Sequence, residues 1–531
     1  MINPETQNTE QPAYTPPVQP PYGQPVPPSA MPYYAERITK PPHTVKPYDG
    51  LFAWLMIPLG FLFLRYIVVY ADGFVTTGVF LLLFALGAAY LLKNGCKPTA
   101  GQWLSGAVIC AFTAVFSLTA SALLHGLCFL FLLAAFAWWM QAVGGKVPFV
   151  TRYFALDLGD ALLVQPFREM GAAPAAISAS VKKSESAKTA RTVLLGLLVT
   201  VPLTVIVGVL LASADSAVEE IFTQLGALIT DDIVTIIAEI AFGIPAAFLL
   251  FGACRSGADR RDNPMPDDGT HAERLSALRF IPNLGLYAGV TPICLLYLLY
   301  VCTQTSYFFS AFAGKLPEDM IYSEYARRGF FELCAIAVIN LAVLLVMNAC
   351  AKKGGRERPK ALSFYVTLLC CFTLFIIATA LAKMLLYIGA YGLTRLRLYT
   401  AWFMVLLAVV FLVLIVRQFV RKFPTAAVLT AVFLVMFGGL CFSRPDARIA
   451  EYNLTRYEQH TLPELDLDAL TDLSDDAYVI IVQHFDALNE SQQAFFTKQL
   501  RTRLGSYTES RDETWNASAQ WLLHHALEMP Q

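Results

Sequence analysis

Between residues 51 and 442 the sequence passes through eleven apolar stretches of 17 residues or more, with short polar segments between most of them. They fall at 51–70, 73–92, 102–119, 122–143, 192–212, 233–253, 283–303, 329–350, 362–388, 400–416 and 425–442. Roughly 20 residues in an α-helix, with about 17–25 seen in practice, cross the hydrocarbon of a bilayer. Lipid offers no partner to a backbone amide or carbonyl, so segments of this length and composition are expected as helices, which satisfy their own hydrogen bonds. Composition agrees: 56% of residues are hydrophobic and 15% charged, and mean hydropathy is +0.53. A soluble domain carries roughly 25% charge. The expected fold is all-α, a polytopic transmembrane bundle of about eleven spans over 51–442.

Lys and Arg test that count. With the N-terminus inside, the segments on the inner side hold 25 Lys and Arg and the outer loops five, Lys315, Arg327, Arg328, Arg395 and Arg397. Positive charge is retained on the cytoplasmic side, so the distribution predicts an N-terminus inside and a C-terminus outside. The weakest point is the pair 102–119 and 122–143, separated by a few small residues without charge. Loss of either span would invert everything after it.

Residues 1–50 hold 13 of the 30 prolines. Such a tail is expected to stay outside any packed core, in polyproline II or disordered, and reads first as a passive tail, with a ligand for a proline-reading protein partner as the alternative. Residues 443–531 carry 15 acids against seven bases and read as an acidic region of amphipathic helices outside the membrane, with Ser474 or Asn489 as N-caps. Asp466, Asp468, Asp472, Asp475 and Asp476 lack the ligand spacing and glycine of a calcium loop and read as caps and solvated face. The segment 155–170, LDLGDALLVQPFREM with its flanks, suggests a helix lying along the inner leaflet.

Four ionisable residues fall inside spans: Arg65, Glu239, Glu332 and Lys383, all in the outer half by this topology. Intramembrane charges cost several kcal/mol by most scales and point to function or to mutual pairing. Glu324, Arg328, Glu332, Ile336 and Asn340 recur every fourth residue, as do Lys383, Tyr387, Tyr391 and Arg395. Two neighbouring helices would then carry polar stripes at one level, which predicts contact between Glu332 and Lys383. The cluster reads either as an ion-paired clasp or as a site for a solute, ion or lipid headgroup. Pro58, Pro202, Pro245 and Pro292 lie within spans, as in the kinked helices of transporters.

No HExxH, GxSxG, GxxxxGK[ST] or CxxC pattern occurs. The eleven cysteines sit in or beside apolar stretches and read as small buried hydrophobes. The seven histidines are scattered, and His524 and His525 point to different sides of a helix, poor geometry for zinc. No cofactor, metal or nucleic-acid partner is expected, no catalytic residue is assigned, and the chain reads as non-enzymatic, with the lipid bilayer as its first partner.

The stretches YSEYARRGFFEL (322–333) and AYGLTRLRLYTAWFM (390–404), supported by LLASADSAVEEIF, LLVQPFREM, PDARIAEYNLTRY and LDLDALTDLSDDA, resemble bacterial multi-pass membrane proteins of a family of unknown function, numbered 4153, and the related 4173. The resemblance covers most of residues 150–480. It implies an integral protein of the bacterial cytoplasmic membrane, associated with the envelope, and carries over no activity, substrate or catalytic residue. From the residues themselves, transport through the bundle stands beside a scaffold or signalling role acting through the two tails. Glu324, Arg327, Arg328, Arg395 and Arg397 form an outer-face motif.

Overall fold

A computed structural model describes residues 45–180, 231–260, 265–312, 330–352, 359–509 and 516–525, apart from positions 47, 70, 149, 280 and 421, together with isolated positions between 196 and 211. The chain divides into two units, Met1–Thr44 and Val45–Gln531. The first, most of the Pro-rich tail, lies outside the described residues, as does most of the span expected at 192–212. The protein is an all-α polytopic helical bundle. Among the described residues there is no strand, and ten helical segments are long and apolar enough to cross a membrane.

The first helices are α1 (Asp49–Phe63, continued by a π-helical turn over Leu64–Val69), α2 (Gly73–Lys93), α3 (Ala100–Thr113), α4 (Val115–Leu118) and α5 (Ala122–Gly144). Thr99 starts α3 with a reciprocal capping box, its hydroxyl accepting from Gln102 N at 3.4 Å while Thr99 N donates to Gln102 Oε1 at 2.8 Å. The ambiguous pair thus forms two candidate spans, Ala100–Leu118 and Ala122–Gly144, with the turn at 119–121. Then follow α6 (Phe154–Gly159), a π-helical turn (Asp160–Val164), α7 (Gln165–Glu169), α8 (Ala172–Ser180), α9 (Asp231–Asp259) and α10 (Asp268–Ser276). Helices α1, α2, α3, α5 and α9 build a first apolar core around Met56, Leu91, Trp139 and Phe251.

Two ion pairs set the register of α1 against α9. Arg65 Nη1 stands 3.2 Å from Glu239 Oε2, and Arg255 meets Asp49. Sixteen residues separate the pairs on each helix, about 24 Å of rise, so the helices run antiparallel in matched register. Between the pairs the backbones close in: a Cβ on Gly60 would lie 2.3 Å from Gly243 O. Backbone cannot give way as a flexible side chain can, so Gly60→Val should destabilise the bundle by about 1–3 kcal/mol or more, read as a lower midpoint in denaturing-detergent unfolding. An unchanged midpoint would refute this close approach. Because α5 ends beside Ser256 of α9 and α9 begins at the Arg65 end, the described residues flanking 181–230 stand at opposite ends of the bundle. Eleven spans require that parity.

The second core comprises α11 (Asn283–Phe312), α12 (Phe330–Cys350), α13 (Lys360–Tyr391) and α14 (Arg395–Phe419). A buried polar chain ties three of them: Tyr297 OH donates to Asn340 Oδ1 at 2.8 Å, and Asn340 Nδ2 to Thr373 Oγ1 at 2.9 Å. Helix α15 (Thr425–Phe442) leaves the second set of helices and packs Phe437, Leu440 and Cys441 into the first core. A third core belongs to the C-terminal helices, α16 (Pro445–Glu458), α17 (Leu467–Thr471), α18 (Asp475–Gln483), α19 (Glu490–Glu509) and α20 (Ala517–His525). Asn489 caps α19, accepting from Gln492 N at 3.0 Å. Ser474 occupies the cap position of α18, but its hydroxyl makes no capping bond.

Helix α6 and its continuation hold the end of the bundle where α1 begins. Its acids point inward, Asp157 to His271 at 2.8 Å and Asp160 to Arg260 at 2.7 Å, while Leu163 and Phe167 are exposed. Glu169 lies 3.4 Å from Arg255, whose guanidinium, 2% exposed, also meets Asp49. Tyr90 OH donates to the second oxygen of Asp49 at 2.6 Å.

Candidate functional site

Five polar residues of the C-terminal region, Asp446, Asn453, Arg456, Asp476 and Asn516, carry it onto the bundle. After α15 the chain reverses at Arg444, whose φ of 52° lies in the left-handed region, and Pro445 opens α16. A non-glycine residue there costs roughly 1–2 kcal/mol. Its guanidinium offsets that strain, donating to Asp476 Oδ1 at 3.1 Å and to Ser518 Oγ.

Asp446, in the first turn of α16, is fully buried. It accepts from Arg395 Nε at 3.0 Å, from Arg395 Nη2 and from Ser474 N at 3.1 Å. Such bidentate guanidinium–carboxylate pairing is among the stronger polar contacts available. Two helical turns on, Asn453 clamps one residue of the α13–α14 turn, accepting from Leu393 N and donating to Leu393 O, each at 2.7 Å. The adjacent Gly392 has φ +77°, and a Cβ there would lie 2.6 Å from Asn453 Oδ1, so only glycine fits. Arg456 adds a bond to Gly389 O at 2.9 Å.

Asp476 of α18, also fully buried, reaches the other core. Thr119 Oγ1 and Ala120 N (3.2 Å) donate to one of its oxygens, and Ser518 and Arg444 to the other. Asp475 beside it takes Arg503 at 3.0 Å, and Arg503 lies over the Tyr478 ring at 4.1 Å. Burial raises the Tyr478 hydroxyl above its ordinary range. Asn516 completes the seam: Oδ1 caps α20 by accepting from Ala519 N at 2.8 Å, while Nδ2 donates to Asp72 Oδ2 at 3.2 Å in the α1–α2 turn.

Asp72 is the titrating member. Burial, opposed by the Asn516 and Gly73 hydrogen bonds and reinforced by the nearby Asp475 and Asp476, lifts its carboxyl to about 7. His125 Nδ1 stands 3.9 Å from Asp72 Oδ1, beyond hydrogen-bond reach, while Nε2 donates to Thr119 O at 2.8 Å. A carboxyl near 3.8 in the unfolded chain and at about 7 in the fold binds its proton more tightly when folded. The stability that this proton supplies is therefore complete below pH 4 and is lost as pH rises to about 7. Hydrogen exchange in α20 should quicken over that window, and Asp72→Asn should flatten the response. A slope of the opposite sign would overturn the assignment.

The sequence-predicted residues distribute as follows. Arg65 and Glu239 pair in the first core. Glu332 and Lys383 belong to the second set of helices, so the four charges do not make one cluster among the described ion pairs. Glu332 is exposed and Lys383 half-buried, and no ion pair joins them among the described residues. Asn340 and Thr373 mark where α12 meets α13. A step of four residues drifts about 40° around a 3.6-residue helix, so Glu332, two steps from Asn340, has turned off that face. Arg395 binds Asp446, and Arg397 lies 4.0 Å over the Tyr387 ring and donates to Gly392 O. Glu324, Arg327 and Arg328 lie outside the described residues.

Asp446, Asn453, Arg444 and Asp476 escaped the sequence reading, which took the acids around 466–476 as caps and solvated face. Asp466 does cap α17, accepting from Ala469 N at 2.9 Å. For Asp476 a signal existed: it shares a helix face with the apolar Val479 and Ile480, three and four residues on. Among the described residues no group of three or more His, Cys, Asp or Glu could hold a metal ion.

A bundle of ten described candidate spans, its turns gripped by a folded helical cap, defines an integral-membrane type of architecture. The chain belongs to the family described as Domain of unknown function (DUF4153), whose match covers residues 106–484 and so includes the Asp476 and Asp446 seam. Comparisons with curated proteins and with solved structures returned no match.

Proposed function

We propose that the chain is a scaffold or signalling protein of the bacterial cytoplasmic membrane, N-terminus inside and C-terminus outside, working through its C-terminal helical cap. One observation carries this reading: the cap grips both cores at once, the first through Asp476 on Thr119 and Ala120, the second through Asp446 on Arg395 and Asn453 on Leu393. A partner or condition that shifts the cap would thereby shift the two helical sets against each other. The orientation rests on the Lys and Arg bias. On the inner side, residues 1–44 would serve as the ligand of a proline-reading partner.

A second reading, passage of an ion or solute, draws on Arg65. It lies in a π-helical turn, a feature frequent at functional sites, and its pair with Glu239 sits within candidate spans.

Proteoliposomes carrying the full chain separate the two. The scaffold reading expects ion flux no greater than in empty vesicles, and crosslinked partners in cells that disappear on deleting residues 1–44 or on Asp476→Ala. Flux abolished by Glu239→Gln would replace it with transport.

A further inference from the structure

At the end of the bundle away from the cap, α3, α5 and α15 enclose an open groove of about 510 Å³, within the roughly 300–1,000 Å³ typical of small-molecule sites. Leu104, Val108, Phe131, Trp138, Phe154 and Phe433 line it. The walls are apolar apart from Ser105, Thr430 and the Trp138 indole, and the Ser105 hydroxyl is turned back onto Gln102 O at 2.8 Å.

Aromatic contacts mark its length. Toward mid-bundle, Phe433 and Phe437 stack at 5.3 Å, with Phe112 stacked on Phe437 at 5.7 Å. Toward the inner end, Trp138 meets Phe154 of α6 edge-on at 5.4 Å. Along α3 the lining runs from Gly101 to Ile109, about 12 Å of rise. Half of a hydrocarbon core about 30 Å thick is about 15 Å, so the groove matches one leaflet.

Its rim is cationic. Lys97 precedes α3, Lys146 follows α5, Arg152 precedes α6 and Lys422 precedes α15, and all four are exposed. Each stands at the same end of an element that lines the groove. We propose that the groove holds one acyl chain of an anionic phospholipid from the leaflet on that side, with the headgroup phosphate among these four cations. An apolar slot one leaflet long suits the chain, and Lys and Arg beside a membrane surface attract anionic lipid.

Native mass spectrometry of the full chain, released from nanodiscs of equal phosphatidylglycerol and phosphatidylethanolamine, tests this. The expected result is one retained phosphatidylglycerol. Val108→Trp, which fills the slot, should cut retention at least fivefold. The exposed triple variant Lys146→Gln/Arg152→Gln/Lys422→Gln should keep a lipid but lose the preference for phosphatidylglycerol. Equal retention by folded Val108→Trp, or crosslinks from Leu104 to residues 1–44 in place of lipid, would overturn the proposal. Should Val108→Trp fail to fold, an unchanged headgroup preference in the triple variant would overturn it alone.

Discussion

Asp476→Ala is expected to loosen the C-terminal helices from the bundle by about 3 kcal/mol, seen as faster hydrogen exchange across 475–483 and 517–525 while α1 and α9 stay protected. Removing one partner of a buried charge pair costs about 3–5 kcal/mol. The lower figure applies because Arg444, the cation left behind, is 39% exposed and rehydrates. Thr119 Oγ1, Ala120 N and Ser518 Oγ lose their acceptor together. Asp476→Asn keeps an acceptor without the charge and should fall between the two. Unaltered exchange in Asp476→Ala would mean that the cap is held by its apolar contacts.

A larger effect is expected for Arg255→Ala, about 5 kcal/mol, at the upper end of the same range. Arg255 is 2% exposed and faces Asp49, itself fully buried, and Glu169. Among the described residues, its loss leaves the buried Asp49 charge with only the neutral Tyr90 hydroxyl and Lys46 amide as donors, and Glu169 with Arg168 at 3.5 Å. Arg255→Lys should recover little, since a single ammonium cannot reproduce the planar fork. Asp49→Asn in the Arg255→Ala background should recover part by removing one stranded charge. The measurement is the midpoint of unfolding in denaturing detergent. A midpoint for Arg255→Ala within error of the unaltered chain would show that the network is dispensable.

Both predictions concern residues that the sequence exposes only in part. Spans are legible one at a time, because a run such as 122–143 must satisfy its backbone internally whatever surrounds it. Ten of the eleven expected spans correspond to candidate spans in the structure, and most of the eleventh lies outside the described residues. Pairings are a different matter. The four-residue spacing of Glu324, Arg328 and Glu332 marks a stripe on one helix but not the rotation of its neighbour. The side chains joining α12 to α13 are Asn340 and Thr373, in mid-helix. Arg65 and Glu239 stood out singly as intramembrane charges, yet nothing local ties residues 174 positions apart.

The acidic C-terminal region shows the same division most clearly. Its excess of acid is visible in the sequence and reads as solvated surface, which holds for exposed positions. Asp446 and Asp476 differ in what faces them, Arg395 from the first turn of α14 and Thr119 from the α4–α5 turn. The stretches AYGLTRLRLYTAWFM and PDARIAEYNLTRY, on which the resemblance rested, meet in space through that first contact.

By itself the sequence determined that this chain is helical and that it carries spans of membrane length, because hydrophobic length and backbone satisfaction act within one segment; the ends of several helices, such as Arg395–Phe419 against the expected 400–416, came from the structure. Only the tertiary structure decided which charges pair, that the helices sort into two cores and that one cap grips both. Ion pairing and packing depend on the rotation and register of two segments at once, and no single segment encodes its neighbour's.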